Sequence, residues 1–338
     1  MNNSIKLYRR SKPVATALNP AIAAVEYGST CMTNTPSAVT IGNFDGVHLG
    51  HQKLLSHLVV QAKERQLSPA VMTFTPHPRE FFAQREQRPE LIPTRISTFR
   101  DKIMALQACG IERVYLERFN QNTAQMSAMD FIEQILVEGL NTRYLYVGED
   151  FRFGHRRSGT IELLQEAGPQ FGFEVATMAD ILDEQHMRYS STELRNALAF
   201  GHIERANAYL GRPYTISGHV IHGKKLGRSI GFPTMNLAVM PRCALRSGIY
   251  IVSVQGLDGK TLPAIASLGV RPTVESDGQV LLEVHILNYS VSAYGKLVSV
   301  AFHRYVRDEE KFPDLPTMID AIQKDVDIAQ HYFSVHGL

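Results

Sequence analysis

The sequence predicts an α/β protein of two unlike halves: a parallel sheet with covering helices, then an antiparallel sheet or small barrel with one closing helix. Three observations carry this. Up to about residue 211, short apolar runs alternate with segments of helical period, the pattern of a parallel sheet with helical crossovers. After the break Gly211-Arg212-Pro213, strand-like runs follow one another with turn residues between them, which suits antiparallel pairing. The length, 338 residues, allows two domain cores.

The elements follow in order. Ala38-Val39-Thr40-Ile41 reads as a short buried strand, broken by Gly42-Asn43-Phe44-Asp45-Gly46. A helix comes next, with Leu54, Leu55, Leu58, Val59 and Ala62 on one stripe. Pro69 precedes a second strand, Ala70-Val71-Met72-Thr73-Phe74, and Pro76 and Pro78 stiffen the loop after it. Residues 97–108 read as helix, Arg113-Val114-Tyr115-Leu116 as a third strand, Ala128 to Leu136 as helix and Tyr144-Leu145-Tyr146-Val147 as a fourth strand. In the second half, Ile249 to Val254 and Ala264 to Leu268 flank the hairpin-type turn Gly256-Leu257-Asp258-Gly259. Leu281 to Leu287 and Leu297 to Phe302 flank a connection containing Tyr294-Gly295. The last helix has Met318, Ile319, Ile322, Val326, Ala329 and Phe333 on one face, expected to pack on the barrel. The expected division is residues 1–35 as an N-terminal extension, 36–210 as the first domain and 211–338 as the second.

Composition excludes other classes. Hydrophobic residues are 44%, charged residues 20% and mean hydropathy is -0.13, the profile of a globular chain. Lys plus Arg number 35 against 33 Asp plus Glu. No basic excess is left for a nucleic-acid backbone, so nucleic acid is not an expected partner. Cys31, Cys109 and Cys243 are odd in number and form no CxxC pair, which fits a reducing cytoplasm rather than a disulfide framework. No apolar run is long enough to span a bilayer, so no membrane association is expected. Lys6, Arg9, Arg10 and Lys12 precede the first acid, Glu26, but Pro13, Asn19 and Pro20 interrupt any secretory h-region. A loose extension is expected there, with Met32 as an alternative start.

Chemistry concentrates in six segments. Gly42-Asn43-Phe44-Asp45-Gly46-Val47-His48-Leu49-Gly50-His51 joins the first strand to the first helix. A helix N-terminus attracts phosphate, and His48 and His51, three apart, share a face of its opening turn. Two imidazoles aimed at one point suit a transferring phosphoryl group; two histidines alone would be incidental surface groups. Ser190-Ser191-Thr192-Glu193-Leu194-Arg195 is by itself a capping box, although its hydroxyls and arginine would also hold polyphosphate. Gly148-Glu149-Asp150-Phe151-Arg152-Phe153-Gly154 follows a strand, the position where α/β sheets bind ligands. Its bland alternative is a loop with two packed phenylalanines.

The second half adds three more. Gly218 to Lys224 fits GxxxxGK, but Lys225 replaces the Ser/Thr and the flanks read as strand, so a P-loop is rejected. The Gly/Lys/Arg-rich run from Gly223 to Gly231 remains a phosphate cradle. In Gly231-Phe232-Pro233-Thr234-Met235-Asn236, Thr234 and Asn236 point the same way and offer neutral oxygens to a cation such as Mg²⁺, ATP phosphates completing its shell. T-x-N alone is an ordinary polar strand edge. Glu283 lies opposite the apolar face formed by Leu282, Val284 and Ile286; a carboxylate there can deprotonate a hydroxyl, or simply face solvent.

Together these segments resemble the bacterial bifunctional riboflavin kinase/FMN adenylyltransferase family, also called FAD synthetases. The resemblance runs from about Val39 to the final helix. His48, Gly50 and His51 match the HxGH signature, and Ser191, Thr192 and Arg195 match the serine-threonine-arginine motif. Gly148 and Asp150 to Gly154 match the GxDFRFG loop. Gly231 to Asn236 is similar to the PTAN signature, with Met235 where alanine is usual; Gly269 to Thr273 and Tyr294-Gly295 also match. Only the first three dozen residues depart, being longer than expected.

The resemblance implies a Rossmann-like nucleotidyltransferase domain followed by an antiparallel β-barrel kinase domain. It implies ATP, riboflavin, FMN and FAD as ligands and Mg²⁺ as the cofactor. Glu283, His48, His51 and Arg195 become catalytic candidates. Gly42, Asn43, Phe44, Asp45, Gly46, Gly50, Ser191, Thr192, Gly218, Gly223, Gly227 and Gly231 become nucleotide-binding candidates. Asp150, Phe151, Arg152, Arg271 and Arg307 are the flavin-side candidates, and Thr234 and Asn236 the metal-side ones. A kinase with one silent domain, a non-catalytic flavin-binding protein and an RNA-linked nucleotidyltransferase are the rivals. The intact motif sets count against the first two, and the charge balance against the third.

Overall fold

The computed structural model describes residues 5–9, 35–179, 181, 188–223, 227, 230–270, 280–289 and 293–337. Cys31, Met32, Lys224, Lys225 and Arg271, singled out above, lie outside the described residues. The chain divides into two compact units, one drawing on residues up to Pro93 and on Lys102–Tyr189, the other on Thr94–Asp101 and Ser190–Leu338.

The first unit holds strands β1 (Lys6–Arg9), β2 (Ser37–Ile41), β3 (Ser68–Thr75), β4 (Arg113–Arg118), β5 (Thr142–Gly148) and β6 (Glu174–Met178). They form one parallel sheet in the order β1-β4-β3-β2-β5-β6. Between them run α1 (Leu49–Glu64), α2 (Pro78–Arg85), α3 (Phe99–Ala108), α4 (Gln121–Gln125), α5 (Ala128–Asp130, continued by Phe131–Gly139) and α6 (Ile161–Phe171). β2 is buried along its whole length, as a central parallel strand covered on both faces must be. Leu55, Leu58 and Ala62 of the expected stripe are the buried residues of α1. From β2 the chain moves to β3 and β4 on one side and later to β5 and β6 on the other. The sheet therefore changes direction between β2 and β5, and ligands sit beyond the carboxyl ends of the strands at such a point.

β1 lies in the stretch expected to be a loose extension. Ile5, Leu7 and Tyr8 are buried, and the Tyr8 ring stacks on Tyr115 of β4 at 5.0 Å. Charged Lys6 and Arg9 blur the period of so short a strand. β6, not singled out in the sequence, is an edge strand with only partial burial, so it lacks an apolar run.

The second unit holds α7 (Ser191–Ala199), α8 (Ile203–Leu210), β7 (Tyr214–Ile221), β8 (Met235–Ala238), β9 (Gly248–Gln255), β10 (Leu262–Val270), β11 (Val280–Ile286), β12 (Leu297–Arg307) and α9 (Leu315–His336). Its strands close into an antiparallel barrel in the order β10-β11-β8-β7-β12-β9. Closure removes unpaired sheet edges. Ile216, Leu237, Tyr250, Leu268, Val284 and Phe302 are buried and fill the interior by strand alternation. Val326, Ala329 and Phe333 of α9 pack on Ile251, Ile265 and Leu287, confirming the expected apolar face of the last helix.

Helices α7 and α8 precede residue 211 yet group with the barrel. Asn207 explains why: its Nδ2 donates to the Phe302 carbonyl at 2.9 Å and its Oδ1 accepts the Tyr214 N–H at 2.7 Å. Thr94–Asp101 joins the same unit through backbone bonds of Arg95 to Arg242 and Ala244, and through the Ser217 N–H to Asp101. Among the described residues, no helix is long and apolar enough to cross a membrane.

Candidate active sites

In the first unit the turn after β2 is forced into an unusual path. Phe44, Gly46 and Val47 have φ of 48°, 87° and 45°, left-handed values that cost non-glycine residues energy. This bend delivers His48 to the N-cap of α1, where its Nδ1 accepts the His51 N–H at 3.4 Å. The two imidazoles stack at 3.7 Å between centroids. Gly50 makes room for them: a Cβ there would lie 3.0 Å from the Tyr189 Cβ and 3.2 Å from the His48 ring. Phe44, buried, sits 5.0 Å from the His51 ring, and Asp45 is buried in the same turn.

Two buried polar atoms in this turn, Asn43 Oδ1 and His51 Nδ1, have no hydrogen-bond partner among the described residues. Such atoms are costly unless something polar meets them. The Asn43 carbonyl accepts Lys102 Nζ at 2.9 Å and Thr73 Oγ1 at 3.3 Å. Burial first, then His48 and Lys102, push the His51 pKa well below the usual histidine range. His51 is thus a neutral imidazole at pH 7, beside a helix N-terminus that favours anions. Lys102 was missed in the sequence, since nothing distinguishes one lysine in a helix.

The loop after β5 faces the other side of the sheet's direction change. Asp150 and Arg152 are exposed, whereas Phe153 is a core residue stacked on Phe151 and lying 5.2 Å from Phe131. Asp150 pairs with Arg188 at 2.9 Å. One phenylalanine thus anchors the loop, while Phe151 is only half-buried. A second aromatic group escaped the sequence reading. Phe74, Phe81, Phe82 and Phe119, each half-buried, lie 5.4–5.8 Å apart around the carboxyl ends of β3 and β4. The adjacent pair after Pro78 was its only sequence signal.

Ser190 caps α7, accepting the Glu193 N–H at 3.2 Å, so half of the capping box is present. Ser191 and Thr192 form the first turn, and Arg195 Nε donates to the Thr94 carbonyl at 2.7 Å. All three belong to the second unit.

The barrel supplies the second site. Its registers join four strands in one rung: Asn236 of β8 opposes Glu283 of β11, which opposes Ser267 of β10, which opposes Ile249 of β9. Opposed residues share a face, and this is the outer one, because Leu237 and Val284 point inward. Asn236 is nevertheless buried, at 5% exposure. The turn after β7 covers it, and a Cβ at Gly223 would overlap its amide. A Cβ at Gly227 would overlap the Phe232 carbonyl and lie 3.6 Å from Thr234 Oγ1. Gly223 and Gly227 thus sit against the two metal-side candidates. Gly231, at φ 91°, is exposed.

Not every candidate joins this group. Gly218 lies on the interior side of β7, with the Leu237 side chain 3.6 Å from where its Cβ would be. Arg307 is committed elsewhere: Nε and Nη2 bind Asp325 at 2.9 and 2.6 Å, and Nη1 donates to the Asp308 carbonyl at 3.0 Å. That pairing raises its pKa and ties β12 to α9. Among the described residues no three His, Cys, Asp or Glu side chains gather as a metal cage. Thr234 and Asn236 beside a carboxylate fit a hard cation that is shared with a nucleotide's phosphates.

Comparison with known proteins finds two family models along the chain. A family model described as FAD synthetase matches residues 31–193, and one described as riboflavin kinase matches residues 210–333. The chain is 42% identical over 291 residues to the bifunctional riboflavin kinase/FMN adenylyltransferase of Pseudomonas fluorescens, covering 86% of this chain and 91% of that one. It is 40% identical over 297 residues to the protein of that description from Escherichia coli (strain K12), covering 88% and 93%. A crystal structure described as a macrolide-efflux protein from Streptococcus pneumoniae has a TM-score of 0.75 at 31% identity, covering 88% of this chain and 95% of that one.

Proposed function

The chain belongs to the family of bifunctional riboflavin kinase/FMN adenylyltransferases, and we propose that its two reactions run on the two sets of residues described above. It phosphorylates riboflavin with ATP to FMN and ADP, then adenylylates FMN with ATP to FAD and pyrophosphate. Families of both kinds use ATP with a divalent metal.

In the kinase step, the carboxylate of Glu283 accepts the proton of the ribityl 5′-hydroxyl as that oxygen attacks the γ-phosphorus. Thr234 and Asn236 would hold Mg²⁺ with the ATP phosphates, where it would supply positive charge against the charge developing on the transferred group. Gly223 and Gly227 let backbone approach those phosphates. The observation that carries this reading is the rung that sets buried Asn236 directly opposite Glu283.

In the adenylyl step, an FMN phosphate oxygen attacks the α-phosphorus and the bond to pyrophosphate breaks, so no protein nucleophile is required. His48, His51 and the N-terminus of α1 stabilise the charge on the α-phosphate and leaving group. Asn43 positions the nucleotide, with Gly42, Asp45, Gly46 and Gly50 shaping its path. The family motif implies phosphate contacts for Arg195, Ser191 and Thr192, which belong to the second unit. Asp150, Phe151 and Arg152 meet the flavin, with the Phe74, Phe81, Phe82 and Phe119 group as a second aromatic surface for its ring.

The experiment is direct. The purified protein is incubated with riboflavin and Mg-ATP, and flavins are separated over time. FMN should appear first and FAD follow; formation of neither overturns the reading.

A further inference from the structure

We propose that Ser267 and Glu309 form a subsite that recognises the secondary hydroxyls of the flavin's polyol chain during the kinase step. The inference rests on the reading of the Asn236–Glu283 rung as the kinase site. Ser267 is the next member of that rung, directly opposite Glu283 on the neighbouring strand, which places the two Cβ atoms about 5 Å apart. Glu309 follows the end of β12 and is laid along the outer face of β10. Its Oε1 accepts the Ser267 hydroxyl proton at 3.0 Å. Its carboxylate also fills the space above Gly269, where a Cβ would overlap it. Gly269 is two residues from Ser267 and on the same face, so the glycine leaves room for the carboxylate to lie flat beside the rung.

Proton accounting gives this corner its selectivity. A serine hydroxyl has one proton, and here Glu309 takes it. The Ser267 oxygen therefore offers only lone pairs to a ligand, as do the carboxylates of Glu309 and Glu283. Neighbouring strands thus present a run of acceptors with no donor among these three groups. Phosphate is repelled by such a surface, whereas a chain of hydroxyls supplies the donors it lacks. Riboflavin carries three secondary hydroxyls between its ring and the reacting 5′-hydroxyl. With the terminal hydroxyl on Glu283, the adjoining ones reach Ser267 and Glu309, on the side of Glu283 away from Asn236.

The test compares two substrates of the full-length protein with saturating Mg-ATP: riboflavin, and a flavin whose side chain is 5-hydroxypentyl, with the terminal hydroxyl alone. The wild type should favour riboflavin in kcat/KM by roughly 30-fold, the scale of hydrogen bonds to charged groups. Glu309→Ala should bring that ratio near one and leave KM for ATP unchanged. Glu309→Gln keeps an acceptor oxygen for Ser267 and should retain more of the preference than the alanine variant. A ratio unmoved by Glu309→Ala, or a wild type indifferent to the two flavins, overturns the proposal. Glu283→Gln separates the two levels. If it phosphorylates riboflavin at the wild-type rate, the kinase-site reading itself fails. If it is slowed by about 100-fold or more while Glu309→Ala leaves the ratio intact, only the polyol subsite fails.

Discussion

His51 is held neutral by burial, by the stacked His48 ring and by Lys102. The sign of the consequence is fixed. Its pKa is near 6.5 in the unfolded chain and lower in the folded one, so below pH 6.5 the unfolded state binds more protons. The stability it allows is present above 6.5 and is lost as pH falls toward the folded value. The urea midpoint of the wild type should therefore fall more between pH 7.5 and pH 5.5 than that of His51→Gln. Equal falls would remove the argument. Glu283 supports a second expectation at this scale. Glu283→Gln should slow FMN formation by about 10²–10⁴-fold, the usual worth of a general base, measured as initial rate at saturating ATP. Residue types alone leave these two as incidental surface histidines and a solvent-facing glutamate; the whole motifs around them, matched to the family, single them out. Lys102, Ser267 and Glu309 were not visible. Each gains its meaning from a partner far along the chain, and no spacing encodes that.

At the scale of elements, strand register does what motif spacing cannot. The alternation in β11 indicates which face Glu283 takes, but only the β8–β11 register sets it opposite Asn236. The turn after β7 then covers the pair. Gly223→Ala would push a methyl group into the Asn236 amide. Displacements of that size near reacting groups cost up to about 100-fold, so the variant should lose kinase activity while conversion of supplied FMN to FAD is unchanged. A variant with wild-type kinase kinetics would show that the turn does not matter to the site. The Arg307–Asp325 pair sets the docking of α9. Asp325 is buried, so Arg307→Ala leaves a buried carboxylate without its cation, a change worth about 3 kcal/mol. Thermal melting of the second unit should drop accordingly; an unchanged melt would mean that solvent replaces the guanidinium. Elements with strong periods, such as α1, β2, β11 and α9, were legible from the start. β1 and β6 were not: one is a four-residue edge strand with charged members, and the other is only partly buried.

For the molecule as a whole, the near balance of 35 basic and 33 acidic residues has a physical reading. A general polyanion binder needs a basic excess. Two ATP-using centres would need local donors instead, and the proposed ones are a helix N-terminus with stacked imidazoles in one unit and a glycine-lined turn beside Asn236 in the other. The change from alternating helices and strands to strands in series was readable near residue 211. The grouping of α7, α8 and Thr94–Asp101 with the barrel was not, because it depends on Asn207 and on the backbone of Arg95. The central claim is that two separate sets of residues run the two steps in one chain. Its most direct test gives Glu283→Gln and His48→Ala proteins either riboflavin or FMN, with Mg-ATP, and follows all three flavins. Glu283→Gln should form FMN from riboflavin at least about 100-fold more slowly yet turn supplied FMN into FAD at the wild-type rate, and His48→Ala should make FMN normally and lose FAD formation. If either single substitution stopped both steps, the account of two independent sites would be contradicted.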